Sequence, residues 1–287
     1  MNFKGIFSAL LAAMLFGLIP TSSKLSYDLG ANPALAILLR YTIAIILILV
    51  PLLSIGINFE KIKKHIVLLF LISIGSICLA SGLLLSVTLI PVSMVALIFY
   101  TYPLIVLGYS LFSKKKINNI QLFGFISSFI GIALALGPTF NNLSLIGILL
   151  AFLASIGAAT VLITNENLSK NFHPITINAF TNFTCFLVFS SIISLKFKVD
   201  LPTNNEGWFF VIFASLCYCM AFYSQLFSVK YIGSTRTSLL LYMEPIVAII
   251  SAIILLNEIL SFIQITGICI VIISLILTTK SYDEIAN

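Results

Sequence analysis

Ten stretches of about 20 residues each, nearly free of charge, fill almost all of this 287-residue chain and decide its class of fold. In lipid every main-chain N–H and C=O must be satisfied within the protein, which leaves only helices and closed barrels as spanning structures. The stretches are long and do not alternate as barrel strands do, so they read as helices. They cover roughly Phe3–Ser23, Pro33–Leu53, Ile66–Thr88, Pro91–Phe112, Asn118–Leu136, Leu143–Thr164, Ile175–Leu195, Gly207–Val229, Gly233–Leu255 and Leu260–Thr279. The first could be taken for a signal peptide, but it exceeds a usual apolar core and nine more spans follow. Only 8% of residues are charged, far below the roughly 25% of soluble domains. The net charge of +6 sits in short loops, where it sets topology rather than binding nucleic acid.

A second pattern divides the chain. Tyr100-Thr101-Tyr102-Pro103 and Gln121…Gly124 return as Tyr242-Met243-Glu244-Pro245 and Gln264…Gly267, 142 residues later at the prolines and 143 at the glycines. Pro33 opens the second span as Pro174 opens the seventh, 141 residues on. The chain is therefore expected to consist of two five-helix halves, residues 1–138 and 139–287. An odd number of spans per half forces the second to enter from the opposite face. The ten spans put both termini on one side with Lys4, Lys61, Lys63, Lys64, Lys114, Lys115, Lys116, Lys170, Lys230, Arg236 and Lys280, against Lys24, Arg40, Lys196 and Lys198 on the other. Eleven positive residues against four place the termini in the cytoplasm. Lys114–Lys116 follow the fourth span, whereas Asn257-Glu258 follow the ninth, as expected if the halves are inverted. Two inverted halves rocking about a central site are the usual frame of a secondary transporter.

Glu244 lies near the middle of the ninth span and shares a helix face with Thr237 and Ser251. A carboxylate at the bilayer centre costs about 2.5–3.5 kcal/mol on insertion scales, so it should face a cavity or another helix. Pro245 removes a donor and is expected to free the Leu241 carbonyl. Beside it, Glu244 could hold a cationic group or a proton; a structural ion pair with Arg40 is the alternative. Tyr100 and Tyr102 are the counterparts in the fourth span, and with Tyr242 they offer hydroxyls and rings suited to polar metabolites or to packing. Arg40 either snorkels or points inward, where its fork would suit a carboxylate. Asn182 shares a face with Asn178, which, like Gln225 and Asn165-Glu166, suits hydrogen bonds between helices. Pro20, Pro103 and Pro245 are expected kinks. Gly75 with Gly82, and Gly124 with Gly131, read as close helix contacts. The five cysteines are buried hydrophobes, and nothing calls for a metal or cofactor.

These residues resemble the drug/metabolite transporter superfamily, specifically its two-repeat EamA-type permeases. The resemblance rests on Ala12…Phe16-Gly17, Pro33…Arg40-Tyr41 and Ser238…Glu244-Pro245…Asn257-Glu258…Gln264…Gly267, and extends over nearly the whole chain. It departs at Phe16, where the family usually has Trp, and at Lys114–Lys116, where an acid is common. The resemblance implies an all-α polytopic membrane protein of ten helices in two inverted EamA-like repeats, with a central cavity lined partly by the fourth and ninth spans. It further implies movement of a small polar metabolite, an amino acid or related zwitterion or amine, by alternating access in the cytoplasmic membrane. Carboxylates, nucleoside-like solutes and vitamins are the alternative cargoes, and a scaffold or intramembrane enzyme is the minor one. Expected partners are the small-molecule substrate, the bilayer, and a proton or counter-solute. Direction of transport and oligomeric state are not set by these residues.

Overall fold

The computed structural model describes residues 2–56, 58–138, 143–256 and 260–286, with side chains described as far as residue 279. Among the described residues all regular structure is helical: α1 (Phe3–Asp28), α2 (Pro33–Ile55), α3 (Phe59–Lys64), α4 (Ile66–Ser86), α5 (Val92–Phe99), α6 (Tyr102–Phe112), α7 (Asn119–Leu136), α8 (Leu145–Leu168), α9 (Pro174–Lys196), α10 (Asn205–Leu240), α11 (Met243–Leu256) and α12 (Phe262–Ala286). Ten membrane passages follow. α5 and α6 are two halves of the fourth span. α10 contains the eighth span and, beyond the non-helical Gly233 (φ 78°), the first half of the ninth, which α11 completes. α3 is an addition the apolar runs do not announce. The expected junction at 138/139 abuts residues 139–142, and the expected charge difference at Asn257-Glu258 falls at 257–259; both lie outside the described residues.

The repeated residues have local jobs. Asn32 and His173 cap α2 and α9, each just before a proline at the start of the helix, where a missing N–H costs nothing. Gln121 closes a capping box with Asn118. Gln264 does the same with Ser261, accepting the Ser261 N–H at 2.9 Å while the Ser261 Oγ accepts the Gln264 N–H at 3.3 Å.

The inversion is visible in which residues touch. Gly131 of α7 abuts Gly267 and Val271 of α12, while Gly124 abuts Thr278, so these equivalent helices run antiparallel. Asn32 at the start of α2 donates to the Lys198 carbonyl past the end of α9, and Tyr41 stacks on Phe189 at 5.5 Å, so the second and seventh spans are antiparallel too. Two equivalent elements can be antiparallel neighbours only if their repeats are inverted. The register is shared: Gly5 abuts Tyr231 and Ile232, and Gly147 abuts Leu89 and Ile90, each residue displaced by 142 from its counterpart.

Glycine is required where α7 crosses α12. A Cβ on Gly267 would meet the Ala135 nitrogen and the Gly131 oxygen at 2.5 Å, main chain against main chain. With lipid as apolar as the helices, such close backbone packing is what holds them together. Gly267→Val should therefore destabilise by about 1–3 kcal/mol, read as a lower unfolding temperature of the purified protein. Gly108→Ala, where nothing lies within 4 Å, should leave that temperature unchanged or slightly raised.

Candidate functional site

The two copies of the Tyr/Glu-Pro segment are the places where the fourth and ninth spans break. α5 stops at Phe99 and α6 begins at Tyr102; α10 stops at Leu240 and α11 begins at Met243. Proline supplies no N–H and its ring clashes with the carbonyl four residues back, so the break falls one turn before each proline. Leu241 departs from expectation. Its carbonyl is not free, because the turn tightens and it accepts the Glu244 N–H at 2.9 Å. The expected kink at Pro20 is also not a break, since α1 runs helical through it.

Between the broken spans lies a cavity of about 210 Å³. Drug-sized ligands occupy sites of roughly 300–1,000 Å³, so this one suits a small metabolite. Its polar lining is Arg40, Tyr41, Ser76, Tyr102, Tyr218, Gln225 and Glu244; Phe16, Phe99 and Phe222 supply aromatic walls and Pro20 a further apolar one. Arg40 thus points inward. Its guanidinium carbon lies 4.7 Å from the centroid of the Tyr218 ring, an interaction worth about 2 kcal/mol when desolvated. The Arg40 Nε is buried with no hydrogen-bond partner among the described residues. The alternative ion pair with Glu244 is not made: the ion pair among the described residues is Lys115–Glu166. The first span approaches through Gly17, whose missing side chain leaves room for the Glu244 carbonyl and Val247. Tyr100 and Tyr102, both buried, face the Glu244 carboxyl closely enough to interact with it.

Three expected site residues do not line the cavity: Tyr100, which stands beside Glu244, and Tyr242 and Asn182, which lie elsewhere. Tyr242 is fully buried against Phe125, ring centroids 6.5 Å apart, and its hydroxyl has no partner among the described residues. Tyr242 sits in the break between α10 and α11 and is not among the residues that line the cavity. Asn182 is buried in α9, donating to the Asn178 carbonyl at 2.9 Å and to the Asn178 side chain. Conversely, Tyr218 was not singled out in the sequence. Its signal was the spacing of Tyr218, Phe222 and Gln225, which puts an aromatic and polar stripe on one face of α10.

Toward the face that carries the chain's start, the cavity is sealed. Ser110 of α6 and Thr235 of α10 share a hydrogen bond of 2.6 Å, and Ser228 and Thr237 one of 2.8 Å. Lys115 meets Glu166 at 2.5 Å, and Glu166 also accepts from the Ser234 N–H at 2.9 Å and from its hydroxyl. One carboxylate at the end of the sixth span thereby ties the loop after the fourth to the start of the ninth. The cavity residues Pro20, Arg40 and Ala80 lie on the opposite half of their spans.

The chain matches the model of the EamA-like transporter family twice, over residues 3–137 and 145–280. A solved structure described only as the crystal structure of a protein is similar in fold, with a TM-score of 0.84 over 97% of this chain and 98% of that one at 14% identity. No curated protein matches.

If Glu166 holds the seal, Glu166→Ala should loosen it. In a variant lacking the native cysteines and carrying Val106→Cys, one turn deeper than Ser110 and wholly buried, Glu166→Ala should raise labelling by a small water-soluble maleimide several-fold. Equal labelling with and without Glu166 would show that the hydroxyl pairs seal the face alone.

Proposed function

Because the chain belongs to the EamA-like transporter family, we propose that it is a secondary transporter carrying a small zwitterion, an amino acid or close relative, across the cytoplasmic membrane by alternating access. The observation that carries this reading is that Arg40 and Glu244 line one small cavity without pairing with each other. Each is costly in a closed cavity unless it is neutralised. A substrate with a carboxylate for Arg40 and an ammonium for Glu244 neutralises both at once. A simple amine would leave Arg40 uncompensated, and a simple carboxylate would leave Glu244 so.

The same rule supplies coupling. When the substrate leaves, Glu244 has to take a proton or another cation before the cavity can close again. Binding amine or proton, but not both, makes the carboxylate an exchange point, with Tyr100 and Tyr102 alongside it to bridge the proton or the ammonium. Alternating access is supported by the inverted register of the repeats and by the buried hydroxyl pairs that tie the fourth, eighth and ninth spans at one face. The excess of Lys and Arg in the loops on that face supports a cytoplasmic placement for it and for both termini.

Flux of a panel of labelled amino acids, amines and carboxylates into proteoliposomes tests the reading. The expected result is preference for a zwitterion. Arg40→Gln and Glu244→Gln should each lower flux about 10- to 100-fold, the worth of one charge-assisted hydrogen bond, while the unfolding temperature stays near that of the parent. Glu244→Gln should also abolish the dependence of flux on an imposed pH gradient. Undiminished transport by Arg40→Gln, or a preference for substrates lacking an amino group, would overturn the zwitterion assignment.

A further inference from the structure

A second cavity, of about 520 Å³, lies on the flank of the bundle, away from the one that holds Glu244. Its walls are the C-terminal half of α2, the first turns of α4 and α9, and the short helix α3. The lining is aliphatic and aromatic except for Thr176; Ile48, Leu52, Leu69, Phe180 and Phe183 form most of it, and Phe59 and Ile62 of α3 close one end. The Thr176 hydroxyl is the one polar side chain among its lining residues, too little to hold a polar metabolite, and the trough is complementary to something apolar.

What lies at its mouth narrows the choice. α3 is amphipathic over six residues: Phe59 and Ile62 point into the groove, while Lys61, Lys63 and Lys64 are exposed beside it. Glu60 is the one acid in that turn. Lys61 is held in place, its ammonium 5.9 Å from the Phe172 ring centroid, and His65 packs edge-on against the same ring. Asn58 caps the helix by accepting the Lys61 N–H at 2.9 Å, which fixes the lysines relative to the groove. An apolar trough inside the span region, closed at one end by a short helix whose exposed side chains include three lysines, is complementary to a molecule with a long hydrocarbon tail and an anionic head.

We propose that this groove is a binding site for an anionic phospholipid, with one acyl chain lying along α2 and α9 and the phosphate held by Lys61, Lys63 and Lys64. The lysines serve topology as well, but positive charge in a loop needs no apolar trough beneath it. Juxtaposition of the two is what distinguishes a lipid site from an orienting charge. The site does not depend on what the central cavity carries.

The test is native mass spectrometry of the full chain in detergent, with phosphatidylglycerol or phosphatidylcholine of identical acyl chains added in turn. The parent protein should retain phosphatidylglycerol at least about fivefold better, as expected for roughly one lysine's worth of attraction. The triple variant Lys61→Gln, Lys63→Gln, Lys64→Gln changes only exposed side chains and should hold the two lipids equally. Ala179→Phe, which fills the groove from α9, should reduce retention of both. Equal retention of the two lipids by the parent, or a preference that survives the triple variant, would overturn the proposal. So would unchanged lipid retention by folded Ala179→Phe; should that variant not fold, the lysine variant decides alone.

Discussion

A chain that crosses lipid has to satisfy every main-chain donor and acceptor from within itself, and the architecture here follows from where that requirement is relaxed. Eight of the ten spans are unbroken helices, which meet it turn by turn. The fourth and ninth are interrupted, and both interruptions lie at the centre of the bundle, against protein and a cavity rather than against lipid. Tyr100, Tyr102, Leu241 and Glu244 stand at or beside these breaks. The cavity is therefore not an incidental void. It is the one place in such a bundle where broken helices can be kept.

The close contacts that support the breaks are made by small side chains. α7 and α12 meet at Gly131 and Gly267, α4 and α8 at Gly75 and Gly157, and α1 meets the ninth span at Gly17. Serine and threonine hydroxyls add bonds across the same seams, as Thr21 does to Ser251 at 2.7 Å and Thr101 to Ser155 at 2.8 Å. Charge is used sparingly. Glu166 makes three bonds at one end of the bundle, while Arg40 and Glu244, deeper in, line the cavity without an ion pair.

Much of this was legible in the residues. Span length gave the passages, and the offsets of Pro33, Pro103 and Gly124 from their partners, with an odd number of spans in each half, gave two inverted halves. The capping boxes at Gln121 and Gln264 show why those offsets persist: the residues mark helix starts, where substitution is costly. Arg40 could not be oriented from sequence, because a long flexible side chain near a span end is equally at home in either direction; the ring of Tyr218, 178 positions away, decides it. Tyr242 could not be placed from sequence either: it falls in the break of the ninth span, where no helical periodicity says which way a side chain goes, and its ring packs against Phe125. α3 was hidden because six residues leave too short a pattern to read.

The two repeats differ in how their third and fourth helices are joined. In the first, residues 87–91 separate α4 from α5. In the second, Gly233 alone stands between the eighth and ninth spans, with helix on both sides. The first repeat therefore joins its third and fourth spans through five residues of non-helical chain. The second is cranked: the helix that carries Tyr218, Phe222 and Gln225 turns at Gly233 and continues as the inner half of the ninth span. The seal residue Ser234 and the ring beneath Arg40 therefore belong to one continuous segment, with Gly233 and the Ser228–Thr237 hydrogen bond as the links between them.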